Sequence, residues 1–176
     1  MPEHATHTAV LVLVPEAEPV VGALRDALDP SARQGVPAHV TVLFPFVPAH
    51  LVDAATVAAL REAVRGVGTF SCRFDAMRWF GDDYVWLAPN PTGPFDELTR
   101  RVVRAFPEHP PYAGEHEPVP HLTVGYRRHS SFAALQDAAD RLSHRLPIGA
   151  EVDRVSLLAG SFDAGGWQVV AEATLT

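Results

Sequence analysis

The sequence predicts an α+β fold: two lobes related by pseudo-twofold duplication of a βαβαβ unit, with mostly antiparallel sheets, helices on the outer faces and a central cleft. Three observations carry this expectation. A tetrapeptide occurs twice, as His39-Val40-Thr41-Val42 and as His121-Leu122-Thr123-Val124, each inside a short β-branched and aromatic run bounded by prolines. The order of elements then restarts midway, where Val85-Trp86-Leu87-Ala88-Pro89 echoes Leu11-Val12-Leu13-Val14-Pro15 and a helix again follows a proline. Finally, 176 residues of which 47% are hydrophobic can bury a sizeable core. Residues 1–176 therefore read as a single two-lobed domain, with lobe-forming repeats at about 8–83 and 84–176.

Each element has a local reason. Ala9 to Val14 is an apolar run of strand length closed by Pro15. Pro19 suits the first turn of a helix in which Val20, Leu24 and Leu28 recur every four residues, and Asp29-Pro30 ends it. A polar link, Ser31 to Gly35, leads to the first tetrad strand. The alanine-rich segment Leu51 to Arg65 sets Val57, Leu60 and Val64 on one helical face and stops at Gly66 and Gly68. Phe70 to Phe80 alternates, with Phe70, Cys72 and Phe74 inward, and Gly81-Asp82-Asp83 turns the chain into a strand from Tyr84 to Ala88.

In the second unit Pro94 opens a helix whose apolar face is Phe95, Leu98 and Val102. A proline-rich link, Pro107 to Pro118, leads to the second tetrad strand. Phe132, Leu135, Ala139, Leu142 and Leu146 then follow the helical period, with Ser130 or Ser131 as cap and Pro147 and Gly149 as the stop. A strand through Val155, Leu157 and Ala159, a turn at Asp163 to Gly166 and a closing strand from Trp167 complete the chain.

Successive side chains of a strand point to opposite faces. His39 and Thr41 thus share one face, and His121 and Thr123 share another, while Val40, Val42, Phe44 and Leu122, Val124, Tyr126 take the opposite sides. Arg127 has the parity of His121 and Thr123, so it is a candidate extension of an anion site. Phe44, Tyr126, Trp79 and Trp86 are candidate base-stacking groups, with parity favouring a core position for Phe44 and Tyr126. The remaining histidines fall at a terminus, near helix ends or in the proline-rich link, where exposure is the default. The Glu115-His116-Glu117 run reads as a solvated loop bordering the cleft.

Composition excludes several function classes. A net charge of −7 argues against a wide basic surface for nucleic acid, so any phosphate contact must be local. All 14 basic residues are arginine, which removes phosphate-loop chemistry dependent on a Gly-Lys pair. The one cysteine, Cys72, lies at an inward strand position and reads as a small buried hydrophobe. The histidines lack metal-ligand spacing, so no metal and no cofactor are expected. The apolar run at residues 9–14 is too short for a signal sequence or a membrane span, which points to a cytoplasmic protein.

Two histidines brought together by a twofold can divide acid and base work, because imidazole titrates near neutrality. Two threonine hydroxyls on the same faces can donate to the non-bridging oxygens of a phosphodiester. The paired His-x-Thr-x tetrads, and the flanking Pro37-Ala38-His39-Val40-Thr41-Val42-Leu43-Phe44-Pro45-Phe46, resemble the two-histidine phosphoesterase superfamily of 2′-5′ RNA ligase-like proteins and cyclic phosphodiesterases. The resemblance spans nearly the whole chain, and both motifs match in full. It implies a bilobal fold with a central cleft and metal-independent hydrolysis of 2′,3′-cyclic phosphates, on RNA 3′ ends or small cyclic nucleotides, with reversible 2′-5′ RNA ligation as a related activity. It also implies His39 and His121 as the acid and base pair and Thr41 and Thr123 as phosphate-binding groups, leaving open which histidine is the acid.

The leading expectation is thus a monomeric hydrolase acting on a cyclic-phosphate nucleotide or RNA 3′ end. A binding module for RNA ends or nucleotide phosphates with little turnover is the alternative. A histidine-bound metal hydrolase ranks last.

Overall fold

A computed structural model describes residues 1–176. The chain forms β1 (His7–Leu13), α1 (Glu18–Leu28), α2 (Pro30–Arg33), β2 (His39–Leu43), α3 (Ala54–Val64), β3 (Phe70–Phe80), β4 (Tyr84–Asn90), α4 (Gly93–Ala105), β5 (Leu122–Tyr126), α5 (Phe132–Ser143), β6 (Ile148–Val152), β7 (Arg154–Ser161) and β8 (Gly165–Thr174). The strands build two antiparallel four-stranded sheets, in the orders β2-β1-β7-β8 and β5-β4-β3-β6. These orders correspond position by position: β2 to β5, β1 to β4, β7 to β3 and β8 to β6. The predicted α+β class and pseudo-twofold pair of sheets are therefore present.

The division at 8–83 and 84–176 needs correction. The second sheet uses one continuous stretch from β3 to β6, whereas the first joins the N-terminal β1 and β2 to the C-terminal β7 and β8. β3 leaves the first repeat to pair with β4 across the Gly81 turn, because a hairpin is the shortest way to satisfy both edges. The same correction supplies a strand that sequence reading missed. Ile148-Gly149-Ala150-Glu151-Val152 alternates buried and exposed and pairs with β3, although Pro147 and Gly149 read as punctuation.

Local chemistry accounts for the helices. Asp53 accepts the Thr56 N–H while Thr56 returns a bond to the Asp53 N–H, a capping box at the start of α3. Ser131, rather than Ser130, caps α5 by accepting from Ala134 N–H. The link Ser31 to Gly35 overlaps the short α2, whose cap is the Asp29 carboxylate accepting from Ser31 N–H. Helices cross between the lobes, α1 packing on β5 and α4 on β2. One continuous apolar core accordingly runs through both, from Val10, Val40 and Leu157 to Leu87, Leu122 and Val152. Cys72 is buried there, and burial pushes its thiol up to about 11, in keeping with a packing role.

The two tetrad strands share an irregularity that governs the site. Opposite β1, Val10 pairs with Leu43 and Leu11 with Thr41, so Val42 is an extra residue. Opposite β4, Val85 pairs with Gly125 and Trp86 with Thr123, so Val124 is the extra residue. Each tetrad thus ends in a β-bulge, and the bulge reverses the facing of the residues beyond it. Val42 and Leu43 both point into the core, as do Val124 and Gly125, so Phe44 and Tyr126 swing to the histidine side. At Gly125 a Cβ would lie 2.7 Å from Leu28 Cβ and 2.8 Å from Leu135 Cδ2, so glycine lets α1 and α5 close on β5.

Candidate active site

β2 and β5 are the edge strands nearest one another, and their bulged ends bring the two tetrads to one cavity of about 170 Å³. His39, Thr41, His121 and Thr123 all line it, as the alternation predicts. His39 Nδ1 bonds Pro37 O at 2.7 Å, and His121 Nδ1 bonds Val119 O at 2.6 Å. A carbonyl only accepts, so in both rings Nδ1 carries the proton and Nε2 keeps its lone pair for the cavity. The matching i−2 bonds come from matching positions: each histidine begins its tetrad, two residues after a carbonyl in the incoming loop.

The rings rest on different supports. Behind His39, α1 contributes Arg25, only 1% exposed, whose guanidinium donates to Asp29 Oδ2 through Nε at 3.2 Å and Nη2 at 2.8 Å. It also donates to Val36 O at 3.3 Å and Ser31 Oγ at 3.2 Å. Glu18, on the same helix, accepts from Ala38 N–H and so anchors the residue before His39. Burial, and then the Arg25 charge, hold the His39 imidazolium down to about 4. His121 instead meets Phe80 edge-on at 5.1 Å and Trp86 at 5.7 Å, while Trp86 stacks on Phe80 at 4.7 Å. Burial lowers His121 as well, against an opposing pull from the Val119 carbonyl bond.

Around this centre the walls are aromatic. Phe44, Phe162, Trp167 and Tyr126 enclose the side toward the first sheet, with Ser31 and Gln34 from the α2 link. Gly160 leaves the space that the Trp167 indole fills. A wider cavity of about 550 Å³ opens beside His121, walled by Phe80, Tyr84, Tyr112, Tyr126 and Val119, with His116 and Glu117 at its border. Tyr112 enters from the proline-rich link: its N–H bonds Phe44 O at 2.7 Å, and its φ of 51° is a conformation that non-glycine residues seldom take.

Several expectations change here. Phe44 and Tyr126 leave the core side for the cleft because of the bulges. Trp86 underlies His121 instead of standing free, and Trp79 packs against Phe132 of α5. Arg127 does not line either cavity: β5 ends at Tyr126, and the guanidinium turns to Asp82 at 3.8 Å and to the Phe132 ring at 5.8 Å. The bulge at Val124 breaks the alternation that would have aligned Arg127 with His121 and Thr123. Sequence reading also missed Arg25 and Asp29, although a charged pair four residues apart within an apolar helical stripe was the available sign. No three His, Cys, Asp or Glu side chains cluster with metal-binding geometry.

Comparison with known proteins identifies a family and a fold. The model of the 2′-5′ RNA ligase superfamily matches residues 13–161. No curated protein sequence matches significantly. Among solved structures, E. coli LigT complexed with 3′-AMP superimposes with a TM-score of 0.67 at 18% identity, covering 98% of this chain and 99% of that one. E. coli LigT complexed with NADP+ gives 0.64 at 19% identity, with 99% of each chain covered. TT0787 of Thermus thermophilus gives 0.63 at 17% identity, covering 96% and 97%. At these identities the likeness is one of fold.

Proposed function

The chain belongs to the 2′-5′ RNA ligase superfamily, and from that premise we propose that it is a metal-independent phosphodiesterase that opens 2′,3′-cyclic phosphates, on RNA ends or small nucleotides. The observation that carries this reading is the pair of Nδ1–H bonds to backbone carbonyls, which leaves two Nε2 atoms and two threonine hydroxyls on one cavity. The nucleotides bound by E. coli LigT in its solved complexes are in keeping with such a ligand.

The chemistry balances with water alone. His39 Nε2 takes a proton from water, whose oxygen attacks phosphorus; the bond from phosphorus to O3′ breaks, and protonated His121 gives its Nε2 proton to O3′. The product is a 2′-phosphate with a free 3′-hydroxyl; ligation of RNA ends uses the same proton transfers with a 5′-hydroxyl in place of water, so that a 2′-5′ phosphodiester forms as the bond from phosphorus to O3′ breaks. Thr41 and Thr123 donate to the non-bridging oxygens, where charge accumulates. His39 is the base because burial and Arg25 keep it neutral, and His121, lacking a cation behind it, is the acid.

The test is hydrolysis of a 2′,3′-cyclic nucleotide with EDTA present. Activity should persist in the wild type and fall by about 10²–10⁴ in both His39→Ala and His121→Ala. Unchanged rates in the two variants would overturn the assignment. The rate profile should be a bell lying on the acid side of pH 6.5. Its acid limb should fall near pH 4, where His39 becomes protonated, and its upper limb should mark loss of the His121 proton.

A further inference from the structure

The register of the two sheets extends the site in one direction only. Side chains directly opposite one another on adjacent strands share a face. From Thr41 the row across the first sheet reads Leu11, Ser156 and Glu172, ending in an acid. From Thr123 the row across the second sheet reads Trp86 and then Arg78. Arg78 is solvent-exposed and lies two strand spacings, roughly 10 Å, from Thr123. Most other arginines in the chain are engaged with carboxylates or carbonyls, as Arg33, Arg61, Arg65, Arg100, Arg101, Arg141, Arg145 and Arg154 are, whereas Arg78 forms no hydrogen bond or ion pair. The adjoining row on the same face is Tyr126, Tyr84 and Phe80, which wall the wider cavity. A permanently charged fork thus stands at the end of an aromatic surface that begins at the reaction centre.

We propose that this face of the second sheet is a nucleotide track, on which the terminal nucleoside lies against Phe80 and Arg78 holds its 5′-phosphate while the 2′,3′-cyclic phosphate sits between the two tetrads. The track rests on the phosphodiesterase reading and narrows its substrate: an RNA end, or a nucleotide carrying a second phosphate on the 5′ side, is preferred to a cyclic mononucleotide with a free 5′-hydroxyl. Phe80 offers an aromatic surface for stacking, which tolerates any base. Arg78 supplies a planar donor pair suited to phosphate oxygens. At the matching place on the first sheet Glu172 is paired with Arg154 at 3.2 Å, so no unpaired cation stands there to hold the same group. One arginine suffices for a local contact, and a net charge of −7 keeps longer nucleic acid from binding nonspecifically.

The experiment compares two substrates that differ by one group, adenosine 2′,3′-cyclic phosphate with and without a 5′-phosphate, in the wild type, Arg78→Ala and Arg78→Glu. The wild type should favour the 5′-phosphorylated substrate by about tenfold or more in kcat/KM, as expected for one charge-assisted contact. Arg78→Ala should erase the preference while leaving the 5′-hydroxyl substrate unchanged, and Arg78→Glu should reverse it. Equal treatment of the two substrates by the wild type, or an equal loss on both in Arg78→Ala, overturns the track. If the wild type hydrolyses neither, the phosphodiesterase reading fails, and binding decides the track separately. Adenosine 2′,5′-bisphosphate should then bind more tightly than adenosine 2′-phosphate in the wild type and equally in Arg78→Ala, and the absence of a difference in the wild type would overturn it.

Discussion

His39 at the start of β2 and His121 immediately before β5 occupy equivalent positions, each with an i−2 carbonyl on Nδ1, a threonine two residues on and a bulge after that. Their surroundings share almost nothing. The first ring backs onto a buried polar network of Arg25, Asp29 and Ser31, and the second onto Phe80 and Trp86. At the core position after the bulge the first strand has Leu43, while the second has Gly125 because Leu28 and Leu135 fill the space. The duplication thus repeats the face that lines the cavity and varies what lies behind it. A cation stands behind one imidazole and aromatic rings behind the other, an asymmetry that suits the proposed division into base and acid.

Removing either ring is the strongest way to break the comparison. Each alanine variant should lose about 10²–10⁴ in kcat, but a pH profile should separate them: His39→Ala loses the acid limb and His121→Ala the upper limb of the residual activity. Identical residual profiles would mean that the two rings are interchangeable. Next in size is the polar network. Arg25→Ala leaves Asp29 buried without its partner and should cost about 3–5 kcal/mol in a denaturant titration. It should also move the acid limb upward, because a cation that lowers His39 is gone and a carboxylate that raises it remains. An unshifted limb would remove Arg25 from the account of His39.

The threonines sharpen the shared half of the comparison. Thr41→Val and Thr123→Val should each lower kcat by about 10–10³ with smaller changes in KM, since a donor to developing charge acts mainly in the transition state. A variant changed in KM alone would mark its threonine as a ground-state contact. The smallest effect belongs to the packing difference. Gly125→Ala should destabilise by about 1–3 kcal/mol in a denaturant titration as Leu28 and Leu135 are forced outward. Full stability in Gly125→Ala would show that α1 can move away from β5 without cost.

Much of this was legible in the residues. The tetrads, their alternation, the helix periods and the restart at Val85 depend on neighbours within a few positions, so periodicity reports them directly. The pairing of β3 with β6, and of β7 with β1, depends on edges that meet only after collapse, and for this reason the repeats did not coincide with the sheets. Ile148–Val152 was masked by the glycine and proline beside it.

The sequence by itself determined that two histidines and two threonines would stand on equivalent strand faces, because a period of two is a property of the extended backbone and needs no partner. Only the tertiary structure decided what joins them. The bulges at Val42 and Val124 become visible when each strand is laid against its neighbour. They turn Phe44 and Tyr126 into the cleft and Arg127 away from it. The placement of Arg25 behind one ring and Trp86 behind the other likewise comes from elements far apart in the chain meeting at one core.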